Sequence, residues 1–393
     1  MKIDKKELSV YIHIPFCKRK CLYCDFLSAP SDRTERENYV KALLCEIKNE
    51  SKHFKDSSVT TIFLGGGTPS LLTGGQVKLI IDQVRRCFHV SLSAEITIEV
   101  NPGTVTTKKL EMYRKAHVNR LSIGLQSTHN DELRALGRIH TFGQFLKTFE
   151  ASRKMGFQNI NVDLMSALPG QNMETYTDTL QKVLDLNPEH ISAYSLIIEE
   201  GTLFFEWYGE NAKPSNMHSP LPDEDTEREM YDATKKMLKE YGYHRYEISN
   251  YSKKGYECRH NLSYWTGKDY VGFGTGAASY INDIRYSNLR DTKKYIEKMK
   301  EGGIDSSIKE NILHLSKKDK IEEYMFVGLR LCKGVSISNF QKQFGKSMND
   351  VYGSILERLS DKKLLSFQGD YVRLTKRGMN LSNYVLAEFL LDI

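Results

Sequence analysis

Three cysteines, Cys17, Cys21 and Cys24, stand at C-x3-C-x2-C spacing directly after an apolar stretch, Tyr11-Ile12-His13-Ile14-Pro15-Phe16. Three thiolates on one short loop can hold three corners of a cubane iron–sulfur cluster. The usual cluster takes four cysteines, so three leave one iron open to a small chelating molecule. That points to a reactive cluster rather than a plain electron relay. Zinc is the alternative. A structural zinc site wants four nitrogen or sulfur ligands, and no second C-x2-C exists in the chain.

Other residues with chemistry to offer lie where apolar runs end. Gly65-Gly66-Gly67-Thr68 follows Thr61-Ile62-Phe63-Leu64. Glycine removes the side chains that would block approach to backbone N–H and C=O groups, although a plain tight turn reads equally well. It is not a phosphate loop, because no Gly-Lys-Ser/Thr follows. Glu99 and Asp163 each sit in an apolar strand beside a turn. A carboxylate there is costly unless paired, which makes both candidates for holding ribose hydroxyls or an amino group, with a structural ion pair as the alternative. Gln126 ends a similar run. His260, in Cys258-Arg259-His260-Asn261-Leu262-Ser263-Tyr264-Trp265, belongs to a residue type that ligates heme, and the aromatic pair beside it suits a macrocycle edge. A satisfied structural histidine is the competing reading there, and a packed residue is the reading for His13. Lys18, Arg19 and Lys20 read as solvated.

Positioning these groups requires strands that end at one rim. Apolar strands at Thr61–Leu64, Glu95–Val100, Arg120–Gln126, Ile160–Met165 and His190–Ile198 join the one before the cysteines. Helical apolar spacing separates them, at about Thr34–Lys55, Gly75–Phe88, Lys108–Ala116, Phe142–Met155 and Met173–Leu186. Six strands alternating with helices argue for parallel βαβ units. A complete β/α barrel has eight, so the expected fold is α/β, an open, partial (β/α)6 barrel. In such barrels the reacting groups come from the C-terminal ends of the strands, and the candidates above cluster there.

From Gly201 the pattern changes. Residues 209–222 read as a loop over the mouth or side of the barrel, Glu224–Tyr241 as a helix and Tyr246–Tyr251 as a strand. The stretches 258–265 and 272–278 are glycine- and aromatic-rich, as in loops that face a ligand, and Thr292–Lys300 reads as a helix. A break near Gly302–Ser307 divides the chain into units 1–305 and 306–393. The second reads as helices Lys317–Leu331, Ile337–Phe344 and Val351–Lys362, then a hairpin of Leu364–Phe367 and Tyr371–Leu374, an order that matches a small winged helix. Winged helices often bind DNA. From Glu310 onward there are 13 Lys and Arg against 10 Asp and Glu, too little excess to expect nucleic acid.

The bulk properties agree. The chain has 393 residues and a net charge of +6, spread thinly, which does not call for nucleic acid or a membrane surface. The first residues contain no apolar core of a signal peptide, and no run of 18 apolar residues exists to span a membrane. Seven cysteines, four of them scattered, fit a reducing, cytoplasmic setting without a disulfide framework.

Cys17-x3-Cys21-x2-Cys24 followed by Gly65-Gly66-Gly67-Thr68-Pro69 resembles the radical S-adenosylmethionine (SAM) superfamily. More narrowly it resembles the branch that holds oxygen-independent coproporphyrinogen III oxidase and the HemW-type heme chaperones, from about residue 9 to the C-terminus. The resemblance implies a 4Fe–4S cluster on the three cysteines, with SAM on the open iron and reductive cleavage to a 5′-deoxyadenosyl radical. It also implies SAM contacts from Tyr11, Tyr23, Gly66, Gly67, Thr68 and Glu99. Gln126, Arg138 and Asp163 would line the cofactor cavity, and Ile197 matches less securely. Two departures separate the members. The oxidases carry a fourth cysteine where this chain has Phe26, and a long N-terminal arm where only eight residues precede Ser9. His260-Asn261-Leu262-Ser263-Tyr264-Trp265 is similar to the H-N-x-x-Y-W motif of the heme chaperones and implies a heme contact at His260. The implied function is to hold heme and deliver it to respiratory heme proteins, with peripheral membrane contact and a homodimer both open. The alternative is the decarboxylation of coproporphyrinogen III, and a third reading is another radical enzyme acting on a tetrapyrrole.

Overall fold

The computed structural model describes residues 5–212, 217–300 and 308–391. Its strands are β1 (Lys6–Ile14), β2 (Ser57–Gly66), β3 (Val90–Val100), β4 (Arg120–Gln126), β5 (Ile160–Ser166), β6 (His190–Ser195), β7 (His244–Arg245), β8 (Asn250–Ser252), β9 (Tyr270–Phe273), β10 (Ala278–Ile281), β11 (Ile284–Asn288), β12 (Lys309–His314), β13 (Val335–Ser336), β14 (Leu365–Gln368) and β15 (Tyr371–Leu374). Twelve form one open sheet in the order β12-β11-β10-β9-β1-β2-β3-β4-β5-β6-β8-β7. Within it β9 and β1 to β6 run parallel. The expected six βα units are present, and β9 adds a seventh parallel strand beside β1, followed outward by the antiparallel β10, β11 and β12.

The alternation along each strand sets what faces where. Ile96, Ile98 and Val100 of β3 are buried, as are Leu121 and Ile123 of β4 and Ile160, Val162 and Leu164 of β5. They join the core under the helices. The intervening residues are polar, and the register pairs them across strands: Thr97 with Arg120, Glu99 with Ser122, Ser122 with Asn161, Asp163 with Ser192. A period of two thus gives one apolar face and one polar face. A cavity of about 200 Å3 is lined from the polar face by Tyr11, Phe63, Glu99, Arg120, Asp163 and Tyr194, one from each of β1 to β6. All six strands can reach one cavity only because the sheet curls around it as a partial barrel.

Helix starts are written locally. Asp32, Thr73, Thr141 and Asn172 each close a capping box with the residue three positions on, satisfying N–H groups that the first turn leaves open. A second apolar core includes Met325, Phe340, Tyr352, Leu356 and Val372. It lies between the helices Lys317–Gly328, Ile337–Phe344 and Met348–Asp361 and the sheet β13-β15-β14, which is the winged-helix-like order. The break expected at Gly302–Ser307 falls on residues 301–307, outside the described residues, as do residues 213–216 of the loop expected at 209–222.

Three expectations need correction. The strand at Tyr246–Tyr251 is instead the short hairpin β7–β8, because Glu247 turns its carboxylate back onto the Ser249 N–H at 2.8 Å and breaks the run. Stretch 258–265 is largely a helix, Arg259–Trp265, whereas in stretch 272–278 residues 274–277 form the expected loop between the end of β9 and the start of β10. β6 ends at Ser195, not Ile198. β10 and β11 went unforeseen, although Asn282 and Asp283 between them both take positive φ (48° and 64°), as a two-residue hairpin turn requires.

Candidate functional site

The loop after β1 is fastened before it is functional. Cys17 N–H donates to Ala29 O (3.0 Å), Leu22 N–H to Leu136 O (3.1 Å) and Arg19 Nη2 to Gly137 O (2.7 Å). Gly137 has φ +73°, and a Cβ there would lie 2.7 Å from Leu22 Cγ. Any larger residue would force the two segments apart. Tyr23 packs its ring 6.3 Å from that of Phe204, on a small apolar cluster with Leu136 and Met165.

So fastened, the loop presents Cys17, Cys21 and Cys24 as free, half-buried thiols. A polar chain ties two of them together. Cys17 Sγ lies 3.3 Å from Thr68 Oγ1, which accepts from Asn101 Nδ2 (2.9 Å). Asn101 Oδ1 accepts from Arg138 Nη2 (3.0 Å), and Arg138 Nη1 points at Cys21 Sγ (3.7 Å). Gly67 makes room, since a Cβ there would lie 3.1 Å from Cys17 Sγ and 2.8 Å from Phe16 O. Arg138 Nε is buried without a partner. Burial pushes the Cys24 thiol up. Among the described residues no three His, Cys, Asp or Glu side chains are gathered as a site for a single metal ion. Three free thiols on one loop, with a cation against one of them, could hold a polynuclear cluster.

The rim continues inward. Gln126 sits at the end of β4 with φ +73°, an uncommon backbone for a side chain of its size and one that clusters at functional sites. Gly66 N–H donates to Glu99 Oε2 at 3.1 Å. Burial, then the neighbouring Asp163, pushes the Glu99 carboxyl up to about 8. Asp163 accepts from Asn161 Nδ2 (2.7 Å) and Ser122 Oγ (3.2 Å), and burial likewise raises it. Burial raises both carboxyls, so a cationic or hydroxyl-rich ligand beside them would regain what desolvation costs them.

His260 lies beneath this rim, 1% exposed. Both ring nitrogens are engaged, Nδ1 with Thr61 Oγ1 and Nε2 with Tyr264 Oη, each at 2.8 Å. The helical spacing of four residues brings His260 and Tyr264 together. The imidazole stacks on Phe63, with ring centres 5.0 Å apart. Burial, with the Arg120 charge, lowers its pKa to about 3. An unfolded histidine titrates near 6.5. Below that pH the unfolded chain takes up a proton that the native imidazole refuses, so stability is lost as pH falls. From pH 6.5 to 5 this one group costs roughly 2 kcal/mol. His260→Gln is expected to flatten that part of the pH dependence in urea unfolding, and an unchanged slope would contradict the assignment.

The structure therefore brings Cys17, Cys21, Thr68, Gln126 and Arg138 to the outer rim, and Tyr11, Glu99, Asp163 and His260 to the inner cavity. Gly66 joins the two. Ile197 lies beyond the end of β6 and is 67% exposed. Asn101, the link between Thr68 and Arg138, was missed because an Asn-Pro-Gly turn reads only as punctuation.

Comparison with known proteins identifies the family. The radical SAM superfamily model matches residues 11–183, and the HemN C-terminal domain matches 315–381. "Heme chaperone HemW" of Bacillus subtilis (strain 168) is 37% identical over 97% of this chain and 99% of its own length. The protein of that name from Escherichia coli (strain K12) is 36% identical over 98% of each. This chain belongs to the HemW family. A mitochondrial radical S-adenosyl methionine domain-containing protein 1 from Danio rerio is 31% identical over 98% of this chain and 88% of its own. Among solved structures, the coproporphyrinogen III oxidase HemN of Escherichia coli superposes with a TM-score of 0.84 over 98% of this chain and 90% of its own, at 24% identity. At that identity the likeness establishes a shared fold and no more. For a HemW family member a radical SAM fold implies a 4Fe–4S cluster and SAM. No helix among the described residues is long and apolar enough to cross a membrane.

Proposed function

We propose that the protein is a heme chaperone that binds heme, a 4Fe–4S cluster and SAM, and delivers heme to respiratory heme proteins. The observation that carries this reading is the full-length similarity to curated heme chaperones. Phe26 supports it, standing 68% exposed at the place where the resemblance puts the oxidases' fourth cysteine. Cys17, Cys21 and Cys24 would hold the cluster. Tyr11, Tyr23, Gly66, Gly67, Thr68 and Glu99, with Gln126, Arg138 and Asp163, would surround SAM. When bound, the cluster and SAM supply one-electron chemistry. The residues themselves hold, orient and exclude water. Arg138 would offset charge at Cys21, and Glu99, its carboxyl raised by burial, is placed to lose its proton to solvent and become a carboxylate when a cationic ligand binds beside it. The helix that carries His260 is the proposed side of heme contact. A second, C-terminal unit belongs to the same proposal and is supported by the separate core from Ile321 onward, whereas β12, beyond the expected 305/306 division, still pairs with β11 in the large sheet.

The test is anaerobic incubation of the cluster-loaded protein with reductant, SAM and either heme or coproporphyrinogen III. The expected result is a stable heme spectrum and no protoporphyrinogen. Protoporphyrinogen formed over many turnovers would make the protein the decarboxylase instead.

A further inference from the structure

The inner cavity, at about 200 Å3, is below the roughly 300–1,000 Å3 of ligand pockets and too small for a tetrapyrrole. A second opening has the right scale. A cleft of about 1090 Å3 runs between the β9–β11 side of the large sheet and the C-terminal helices. Tyr11 and Tyr264 line both spaces, so the cleft opens directly over the helix that carries His260. With both its nitrogens engaged, His260 backs Tyr264, and Tyr264 and Trp265 are the members of that motif that face the cleft.

The lining pairs flat apolar surface with positive charge. Phe26, Trp265, Tyr270, Tyr280 and Tyr324 contribute aromatic surface. Three of the six cations along the cleft are already paired: Arg285 with Glu323, Lys320 with Asp283 and Lys268 with Glu7. Lys333 lies over the Tyr371 ring at 4.3 Å. Arg290 and Lys342, also on the cleft and exposed, have no carboxylate partner among the described residues. Aromatic walls with unmatched cations at the edge fit a planar, apolar molecule that carries carboxylates.

We propose that this cleft is the heme site, with the ring against the aromatic lining and the propionates turned to Arg290 and Lys342. This rests on the heme-binding reading above. The test is spectroscopic titration of the cluster-loaded protein with heme and with heme dimethyl ester, whose propionates carry no charge. The wild type is expected to prefer heme by roughly tenfold or more, as loss of charge-assisted hydrogen bonds implies. Arg290→Ala/Lys342→Ala is expected to lose that preference while cluster absorbance and circular dichroism stay unchanged. A wild type that binds heme and ester equally, or a double variant that keeps the full preference, would overturn the cleft assignment and leave the heme reading standing. A wild type that binds no heme would remove both.

Discussion

Replacing Cys21 with alanine is expected to abolish 4Fe–4S loading, so that anaerobic reconstitution gives a colourless protein. The proposed site has three protein ligands, and loss of one leaves two thiolates for four irons. It also leaves Arg138, whose Nη1 lies 3.7 Å from Cys21 Sγ, as an uncompensated cation at the rim. The loop itself should survive the change. Its fastening runs through Leu22 to Leu136, Arg19 to Gly137 and Cys17 to Ala29, none of which uses the Cys21 side chain. Far-ultraviolet circular dichroism is therefore expected to match the wild type while iron and sulfide content falls essentially to zero. Full cluster content in the variant would show that the three cysteines are not the ligand set.

The second large effect is expected at Gly66. Its φ of +111° is a conformation that only glycine adopts without strain, and a Cβ there would lie 2.6 Å from His13 Cε1. The imidazole cannot simply swing aside. Its Nδ1 is shared with Tyr11 Oη (3.0 Å) and its Nε2 with Leu27 O (2.9 Å). Gly66→Ala must therefore strain the backbone, displace His13, or break the Gly66 N–H contact to Glu99. Backbone strain alone costs on the order of 1–3 kcal/mol, which corresponds to roughly five- to a hundredfold in affinity if it is relieved at the site. SAM affinity of the cluster-loaded variant, measured by equilibrium binding, is expected to fall by at least that much. Gly156→Ala is the control. It carries a similar φ of +82° with nothing within 4 Å of a built Cβ, and it lies at the opposite end of β5 from the rim. It should cost stability and leave SAM affinity alone. Equal effects from the two variants would mean that Gly66 acts only through stability.

What the sequence disclosed and what it hid follow from how far apart the interacting residues lie. β1 to β6 were legible because strands of a parallel sheet buried under helices carry long apolar runs. The inward polar set was partly legible. Glu95-Ile96-Thr97-Ile98-Glu99-Val100 alternates openly, but the alternation does not say that Arg120, Asn161 and Ser192 share the same interior. Only the register, with Thr97 opposite Arg120 and Asp163 opposite Ser192, places them there. β9 was hidden because Tyr270–Phe273 is short and glycine-containing, and its pairing partner β1 lies some 260 residues away in sequence. The role of His260 was ambiguous for the same reason. The motif placed it beside Tyr264, but Thr61, the residue that occupies its other nitrogen, sits 199 residues earlier. Asn101 and the two unmatched cations, Arg290 and Lys342, carry no local signal at all. Their neighbours come from separate elements.

Under the proposed function this member of the HemW family hands heme to another protein. The most direct measurement is to load the purified, cluster-containing protein with heme, remove free heme, and mix it with a heme-depleted respiratory enzyme under anaerobic conditions. Recovery of the enzyme's activity is followed against free heme at the same concentration. The chaperone reading predicts that the heme-loaded protein restores activity while its own heme spectrum disappears. Heme that stays on the protein, with an acceptor that free heme alone can restore, would contradict it.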